Sequence, residues 1–187
     1  MTSLICVDPG HTWSPTTGGD PGACNGGYRE SVAALDIATI LGRQLNIRGF
    51  DTIFTRTSGK PRLTLKQRCN LSNYHGADVF VSIHLNSAEN KSAHGVEVLR
   101  HQSCGVLTQK LAVSVQNSLV EATGFRDRGV KLRNNLYVLK HTIAPAILCE
   151  VGFISNDEEC KKLFDLGMQE RIAASIAKGI SDCLIGA

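Results

Sequence analysis

The feature that most constrains the fold is an alternation of short apolar runs with longer amphipathic segments along the chain. The short runs are rich in β-branched residues and end in turn or polar residues, which is typical of buried strands. Between them lie segments of ten or more residues whose apolar side chains recur at helical spacing. This order predicts an α/β fold with a mostly parallel sheet, and strands that are apolar on both sides predict helices on both faces.

Individual elements can be assigned from the same patterns. Strands are predicted at residues 4–7, 52–55, 79–84, 95–99 and 146–149. Helices are predicted at about residues 30–48, at 106–121, and at the end of the chain, where apolar residues spaced by four lie on one face: Ile172, Ile176, Ile180 and Leu184. A loop with five glycines between residues 18 and 27 separates the first strand from the first helix.

Length and composition exclude several classes of protein. A chain of 187 residues predicts one domain, and a net charge of +3 is too small for a nucleic-acid-binding footprint. No apolar run approaches the roughly 18 residues that cross a bilayer. The first eight residues resemble a strand rather than a secretory signal, which predicts synthesis in the cytoplasm. The seven cysteines include no CxxC pair, which argues against a disulfide framework or a zinc knuckle.

Four polar residues are predicted to lie at one edge of this sheet. His84 and Glu150 end two of the apolar strands, and His11 follows the first strand after a short turn. Glu30 opens the first long helix, directly after the glycine-rich loop. The carboxyl ends of parallel strands meet at one edge, where sites gather. Two imidazoles and a carboxylate are the protein ligands of a catalytic zinc site, and a second carboxylate would serve as general base. Spacing alone does not decide which glutamate has which role.

Ordinary structural roles explain some of these residues when each is taken alone. A glutamate in the first turn of a helix, as Glu30 is, interacts favourably with the helix dipole. A single histidine such as His11 is commonly a surface residue or a satisfied core residue. Glu150 is harder to explain, because a charge that ends an apolar strand is costly to bury without a partner. The joint occurrence therefore favours a functional site.

Four segments, in this order along nearly the whole chain, carry a resemblance to a known family. They are Val7-Asp8-Pro9-Gly10-His11, Tyr28-Arg29-Glu30, Phe80-Val81-Ser82-Ile83-His84-Leu85-Asn86 and Leu148-Cys149-Glu150-Val151-Gly152-Phe153-Ile154-Ser155-Asn156. The chain resembles the zinc-dependent N-acetylmuramoyl-L-alanine amidases, the cell-wall hydrolases of bacterial autolysins, spore-formation enzymes and phage endolysins. Residues 128–131 and 136–139 also resemble the segment that precedes the last catalytic strand of this family.

The resemblance implies a single catalytic α/β domain over residues 1–187, with an about six-stranded sheet covered by helices and no separate wall-binding domain. It implies that His11, Glu30 and His84 hold one zinc ion per chain, and it makes Glu150 the catalytic carboxylate. The implied reaction hydrolyses the amide between the lactyl group of N-acetylmuramic acid and the L-alanine of the stem peptide, which degrades the cell wall.

Candidate substrate contacts come from less specific signals. Asn86 lies close to His84, and Arg128 belongs to a basic stretch over residues 126–140 that would meet stem-peptide carboxylates or form a solvated basic face. Thr12-Trp13 stand where many relatives have a small glycine, so the loop that follows is expected to suit this chain's own substrate.

Three other functions stay open from the sequence. A thiol-dependent wall amidase or endopeptidase would use Cys24 or Cys149 as nucleophile. A non-catalytic wall-binding module would keep the fold for recognition alone, and a metal-dependent deacetylase would use the same residue types in another motif order. The expected partner is peptidoglycan, with no nucleic acid and no membrane insertion. A holin-like partner is expected to release the enzyme to the wall.

Overall fold

The computed structural model describes residues 2–186 and confirms an α/β fold. The strands of this part of the chain are β1 (Leu4–Pro9), β2 (Thr12–Ser14), β3 (Gly18–Asp20), β4 (Cys24–Asn25), β5 (Tyr28–Arg29), β6 (Asp51–Phe54), β7 (Val79–Asn86), β8 (Val96–Arg100), β9 (Asp127–Leu132) and β10 (Ala146–Phe153). Its helices are α1 (Glu30–Ile47), α2 (Leu65–Tyr74), α3 (Val106–Thr123), α4 (Tyr137–His141), α5 (Asp157–Leu163) and α6 (Leu166–Ile185).

A six-stranded sheet in the order β6-β1-β7-β10-β8-β9 forms the centre of the described part of the chain. Its neighbouring strands are parallel except for the β10–β8 pair, which is antiparallel. The mostly parallel sheet predicted from the sequence is therefore confirmed. The glycine-rich loop folds into two small hairpins, β2–β3 and β4–β5, between β1 and α1.

Most element boundaries agree with the predictions. The longer elements that were not predicted bury few apolar side chains. The last strand continues to Phe153, four residues past the predicted end. β9 was not predicted because it is a half-exposed edge strand with basic side chains. α2 was not predicted because its buried residues are mostly polar: Arg68, Cys69 and Ser72. The short helices α4 and α5 also went unpredicted.

Helices cover the two faces of the sheet unequally. The larger core packs α1, α3 and α6 against one face, with side chains such as Val81 and Ile147. The smaller core, on the opposite face, joins Phe80 and Leu148 to side chains of α2 and α4. Because alternate residues of a strand share a face, His84 and Glu150 lie on this second face, beyond the smaller core. That part of the face borders the candidate site.

None of the helices formed by residues 2–186 combines the length and the apolar character that crossing a bilayer requires.

Candidate active site

The structure brings His11, Glu30 and His84 together at the carboxyl edge of the sheet. His11 Nε2 lies 3.1 Å from Glu30 Oε2, and His84 Nδ1 lies 2.8 Å from Glu30 Oε1. One ligand atom from each side chain lies within 4.8 Å of the others. Two imidazole nitrogens and a carboxylate oxygen are a donor set that zinc takes in catalytic sites. The three residues therefore fit a metal ion.

Backbone amides hold the Glu30 carboxylate in place. Glu30 is the first residue of α1 and is only 4 % exposed. The Ala23 amide donates to Oε2 at 2.9 Å, and the Leu85 amide donates to Oε1 at 3.1 Å. The glycine-rich loop and β7 thus both orient this carboxylate. A glutamate that only interacted with the helix dipole would not need these two hydrogen bonds.

His11 is oriented by Asp20, a residue that the sequence predictions missed. His11 Nδ1 lies 2.7 Å from Asp20 Oδ2, and the Gly22 amide donates to Asp20 Oδ1 at 3.0 Å. A carboxylate on the second ring nitrogen fixes the tautomer and leaves Nε2 for a metal. The only signal in the sequence is an aspartate within the glycine-rich loop, directly before Pro21-Gly22.

Charge and hydrogen bonding perturb the pKa values of this cluster. Burial alone would raise the pKa of Glu30, but hydrogen bonds and charge from His11 and His84 hold it well below its usual range. Burial also opposes protonation of His11, yet Glu30 and Asp20 together raise the pKa of His11 to about 9. The metal-free site therefore favours an ionised carboxylate paired with a protonated imidazole.

Glu150 lies beside the cluster on the next strand. It pairs in register with His84 on β7 and with Glu97 on β8. Its Oε2 atom is buried and has no hydrogen-bond partner among residues 2–186. Burial raises the pKa of Glu150 to about 7; His84 lowers it, whereas the charges of Glu30 and Glu97 raise it further. A carboxyl poised near neutral pH, with a free oxygen, is suited to proton transfer.

A cavity of about 410 Å³ opens beside the two histidines. Another part of its wall is formed by the segment 62–65, which leads into α2, and by Arg68 and Val138. The sequence predictions missed this wall because α2 carries few apolar residues. The cavity gives a substrate access to the His11 and His84 rings.

Asn86 and Arg128, the predicted substrate contacts, both bind Glu97. Asn86 Nδ2 donates to Glu97 at 3.2 Å, and Arg128 Nε donates to it at 2.8 Å. Glu97 is buried, and the sequence predictions missed it. The two residues thus lie on the Glu150 side of the site, and neither lines the cavity beside the histidines.

Other residues singled out in the sequence have local roles. The Arg29 guanidinium stacks over the Trp13 ring at 4.1 Å. Cys149 lies in the larger core, and burial raises the pKa of its thiol far above the usual range, which is the reverse of an activated nucleophile. The exposed Cys24 thiol donates to the Gly22 carbonyl at 3.6 Å.

Comparisons with known proteins find similar sequences and similar folds. The N-acetylmuramoyl-L-alanine amidase family model matches residues 5–182. The sporulation-specific N-acetylmuramoyl-L-alanine amidase of Bacillus subtilis (strain 168) is 33 % identical over 178 residues, which cover 94 % of this chain and 66 % of that relative. The chain thus spans just under two thirds of that relative's length.

Solved structures with the same fold cover the whole chain or nearly all of it. The N-acetylmuramoyl-L-alanine amidase from Clostridium difficile 630 has a TM-score of 0.91 and 32 % identity, over 98 % of this chain and 97 % of that chain. The CwlD amidase from Clostridioides difficile, solved in complex with the GerS lipoprotein, has a TM-score of 0.92 and 30 % identity, over 100 % of both chains.

Proposed function

Because the chain belongs to the N-acetylmuramoyl-L-alanine amidase family, we propose that it is a zinc-dependent enzyme that cleaves the amide bond between N-acetylmuramic acid and the L-alanine of the peptidoglycan stem peptide. One observation carries this proposal: three zinc-type donors within 4.8 Å of one another adjoin Glu150, whose Oε2 has no partner within the described residues. We propose residues 1–187 as one catalytic domain.

His11, Glu30 and His84 would hold one zinc ion per chain. When bound, zinc supplies Lewis acidity toward the scissile carbonyl and lowers the pKa of water at the site. Asp20 orients the His11 ring, and the amides of Ala23 and Leu85 orient Glu30. These contacts set the donor geometry before a metal arrives, which limits the reorganisation that binding requires.

Glu150 would serve as the general base and then as the general acid. Its unpaired Oε2 would take a proton from the attacking water and deliver it to the departing L-alanine nitrogen, which is a poor leaving group as an anion. A carboxyl whose pKa is about 7 can accept and return a proton near neutral pH. The negative charge of the neighbouring Glu97 helps to raise the pKa of Glu150.

Asn86 and Arg128 stay proposed substrate contacts on the Glu97 side of the site. The Arg128 side chain is 30 % exposed, so we expect it to meet a stem-peptide carboxylate while Nε stays on Glu97. We expect Arg128→Lys to raise KM for peptidoglycan fragments several-fold with little change in kcat. An unchanged KM would remove Arg128 from the substrate site.

Peptidoglycan is the substrate that this reaction requires, so we place the action of the enzyme at the bacterial cell wall. Release to the wall through a holin-like partner is part of the same proposal. Host-cell lysis that depends on co-expression of a holin would support it, and lysis without one would remove that partner.

The proposed roles of Glu150 and His84 are separated by measuring zinc and product in the same preparations. We expect Glu150→Gln to keep its zinc but to lose activity by about 10²-fold or more, because proton transfer is lost. His84→Ala should lose both zinc and activity. The product assay is the appearance of free L-alanine amino termini in purified peptidoglycan.

Two exposed residues supply matched controls, Glu89→Gln and His75→Ala, and both variants should behave like the wild type. Wild-type zinc occupancy in His84→Ala would contradict the ligand assignment. Wild-type activity in Glu150→Gln would contradict the assignment of the base.

A further inference from the structure

Two buried arginines hold the backbone next to the candidate ligands, and the proposed reaction uses neither of them. Arg56 and Arg68 are 3 % and 5 % exposed. Arginine is rarely buried to this extent unless its donors are satisfied. Most of the acceptors here are backbone carbonyls, and four of the bonds go to the carbonyls of residues 9–11, where β1 leads into His11. The burial therefore fixes one particular stretch of main chain.

Arg56 connects the segments that carry two of the three candidate ligands. Its Nη2 donates to the Gly10 carbonyl at 2.7 Å and to the Ser31 carbonyl at 2.8 Å. Gly10 precedes His11 and Ser31 follows Glu30, so one nitrogen joins the main chains beside both ligands. Its Nε donates to the Pro9 carbonyl at 3.2 Å, and Nη1 to the Ser58 carbonyl at 3.2 Å.

Arg68 binds the same β1 exit from the α2 side. Its Nη2 donates to the His11 carbonyl at 2.9 Å and to Thr12 Oγ1 at 3.2 Å. Its Nη1 donates to the Pro9 carbonyl at 2.9 Å and to Asp8 Oδ1 at 2.7 Å. The carbonyls of residues 9, 10 and 11 thus all accept from a guanidinium.

The backbone that receives these bonds is strained. His11 has a φ of +56°, and within residues 2–186 it is the one non-glycine residue with a positive φ. A β-carbon in this left-handed region costs roughly 1–2 kcal/mol, so the surrounding contacts must maintain it. A different backbone conformation at this position would change the direction of the Cα–Cβ bond and so the position of the imidazole relative to Glu30.

We infer that Arg56 is a positioning residue of the metal site, which fixes the His11 segment against the start of α1 and so sets the distance between the His11 and Glu30 donors. Arg68 holds the left-handed turn from the other side. The inference rests on the proposed zinc site. Lysine cannot replace Arg56 here, because a single ammonium cannot reach carbonyls that a planar guanidinium spans with three nitrogens.

The test compares metal binding by the wild type and Arg56→Lys. Zinc affinity is measured by chelator competition on metal-free protein, and site geometry by the absorption bands of bound cobalt(II). We expect zinc affinity to fall by about 10- to 100-fold, as for other residues that orient ligands, with altered cobalt bands. Arg48→Lys is the matched control, since Arg48 binds a backbone carbonyl at the distant end of α1.

Val115→Ala tests whether a general loss of stability alone lowers zinc affinity. This substitution opens the α3–α6 contact on the other face of the sheet. Its zinc affinity should stay at the wild-type value although its stability falls. Should Arg56→Lys not fold, Arg68→Lys carries the same measurement, with altered cobalt bands expected.

The outcomes distinguish this inference from the proposed function. Wild-type zinc affinity and cobalt bands in the arginine variants overturn the positioning role while leaving the metal site intact. An affinity loss of the same size in Val115→Ala overturns it as well. A wild-type protein that binds neither zinc nor cobalt overturns the metal site and this inference together.

Discussion

At the scale of single residues, Glu150 is held where its ionised form is poorly solvated. Its Oε2 lacks a hydrogen-bond partner in the described part of the chain, and burial raises its pKa from 4.5 to about 7. A carboxyl whose pKa is higher in the folded protein than in the unfolded chain destabilises the fold when it is ionised. This loss of stability disappears when the carboxyl is protonated. The protein therefore loses stability at this position in exchange for a group suited to proton transfer.

Glu150→Gln should make the metal-free protein more stable at about pH 8, by about 2 kcal/mol in the free energy of unfolding. The difference should shrink as the pH falls through the window between 7 and 4.5, because the wild-type carboxyl becomes protonated. Urea denaturation at several pH values measures it, with the exposed Glu89→Gln as control. A stability difference that does not change with pH would contradict this explanation.

Gly10 is a second single residue on which the site depends, because it packs against the His84 ring. An alanine β-carbon at position 10 would lie 2.5 Å from His84 Cε1. We expect Gly10→Ala to displace the imidazole, to lower zinc affinity by at least about tenfold and to cost about 1–3 kcal/mol in stability. Chelator competition and urea denaturation measure the two effects.

Gly105→Ala is the matched control, since an alanine there meets no atom of residues 2–186 within 4 Å and the backbone φ of −69° suits any residue. Equal zinc affinities in the two glycine variants would show that the His84 ring is not held by Gly10.

At the scale of secondary-structure elements, α5 fixes the end of the strand that carries Glu150. The buried Glu159 carboxylate accepts from the Gly95 amide at 2.8 Å and from the Phe153 amide at 2.7 Å. One side chain in the first turn of α5 thus satisfies backbone donors just before β8 and at the end of β10. These bonds keep β8 and β10, with Glu97 and Glu150, in register.

Glu159→Gln should destabilise the protein by about 2 kcal/mol. One of the two backbone N–H groups would then face the side-chain NH₂ of glutamine, which cannot accept a hydrogen bond. Glu158→Gln is the matched control: Glu158 is exposed in the same turn, so both variants lose a favourable charge near the helix N-terminus but only one loses buried bonds. Urea denaturation compares them. Equal losses would mean that the buried bonds contribute little.

The elements that could be predicted from the sequence are those that bury apolar side chains. β7 and β10 are apolar on both faces, so their residues alone indicated buried strands. α2 presents Arg68 and Ser72 to the interior, and β9 is a basic edge strand, so neither has the apolar period that marks an element. Polar residues that bind backbone atoms look like surface residues in a sequence.

The same physical reason separates the predicted and the missed site residues. His84 and Glu150 interrupt apolar strands, which makes them conspicuous, and His11 and Glu30 stand at the turn and the helix start beside them. The missed residues contact partners 9 to 60 positions away in the chain, and only the fold creates these contacts. They are Asp20, Glu97, Arg56 and Arg68.

At the scale of the whole molecule, unequal coverage of the sheet creates the site. Long helices α1, α3 and α6 bury one face, whereas α2 and α4 cover only part of the other. The uncovered part carries His84 and Glu150 and borders a cavity of about 410 Å³. The sheet fixes the spacing of these residues by strand register. The turn after β1 adds His11, and the first residue of α1 adds Glu30.

We propose above that one zinc ion, held by His11, Glu30 and His84, is required for amide hydrolysis. The most direct measurement adds zinc stepwise to chelator-treated protein and follows the release of L-alanine amino termini from purified peptidoglycan. We expect activity to be absent without metal, to rise in proportion to added zinc and to level off at one equivalent per chain. Full activity in protein shown by metal analysis to contain no zinc would contradict it.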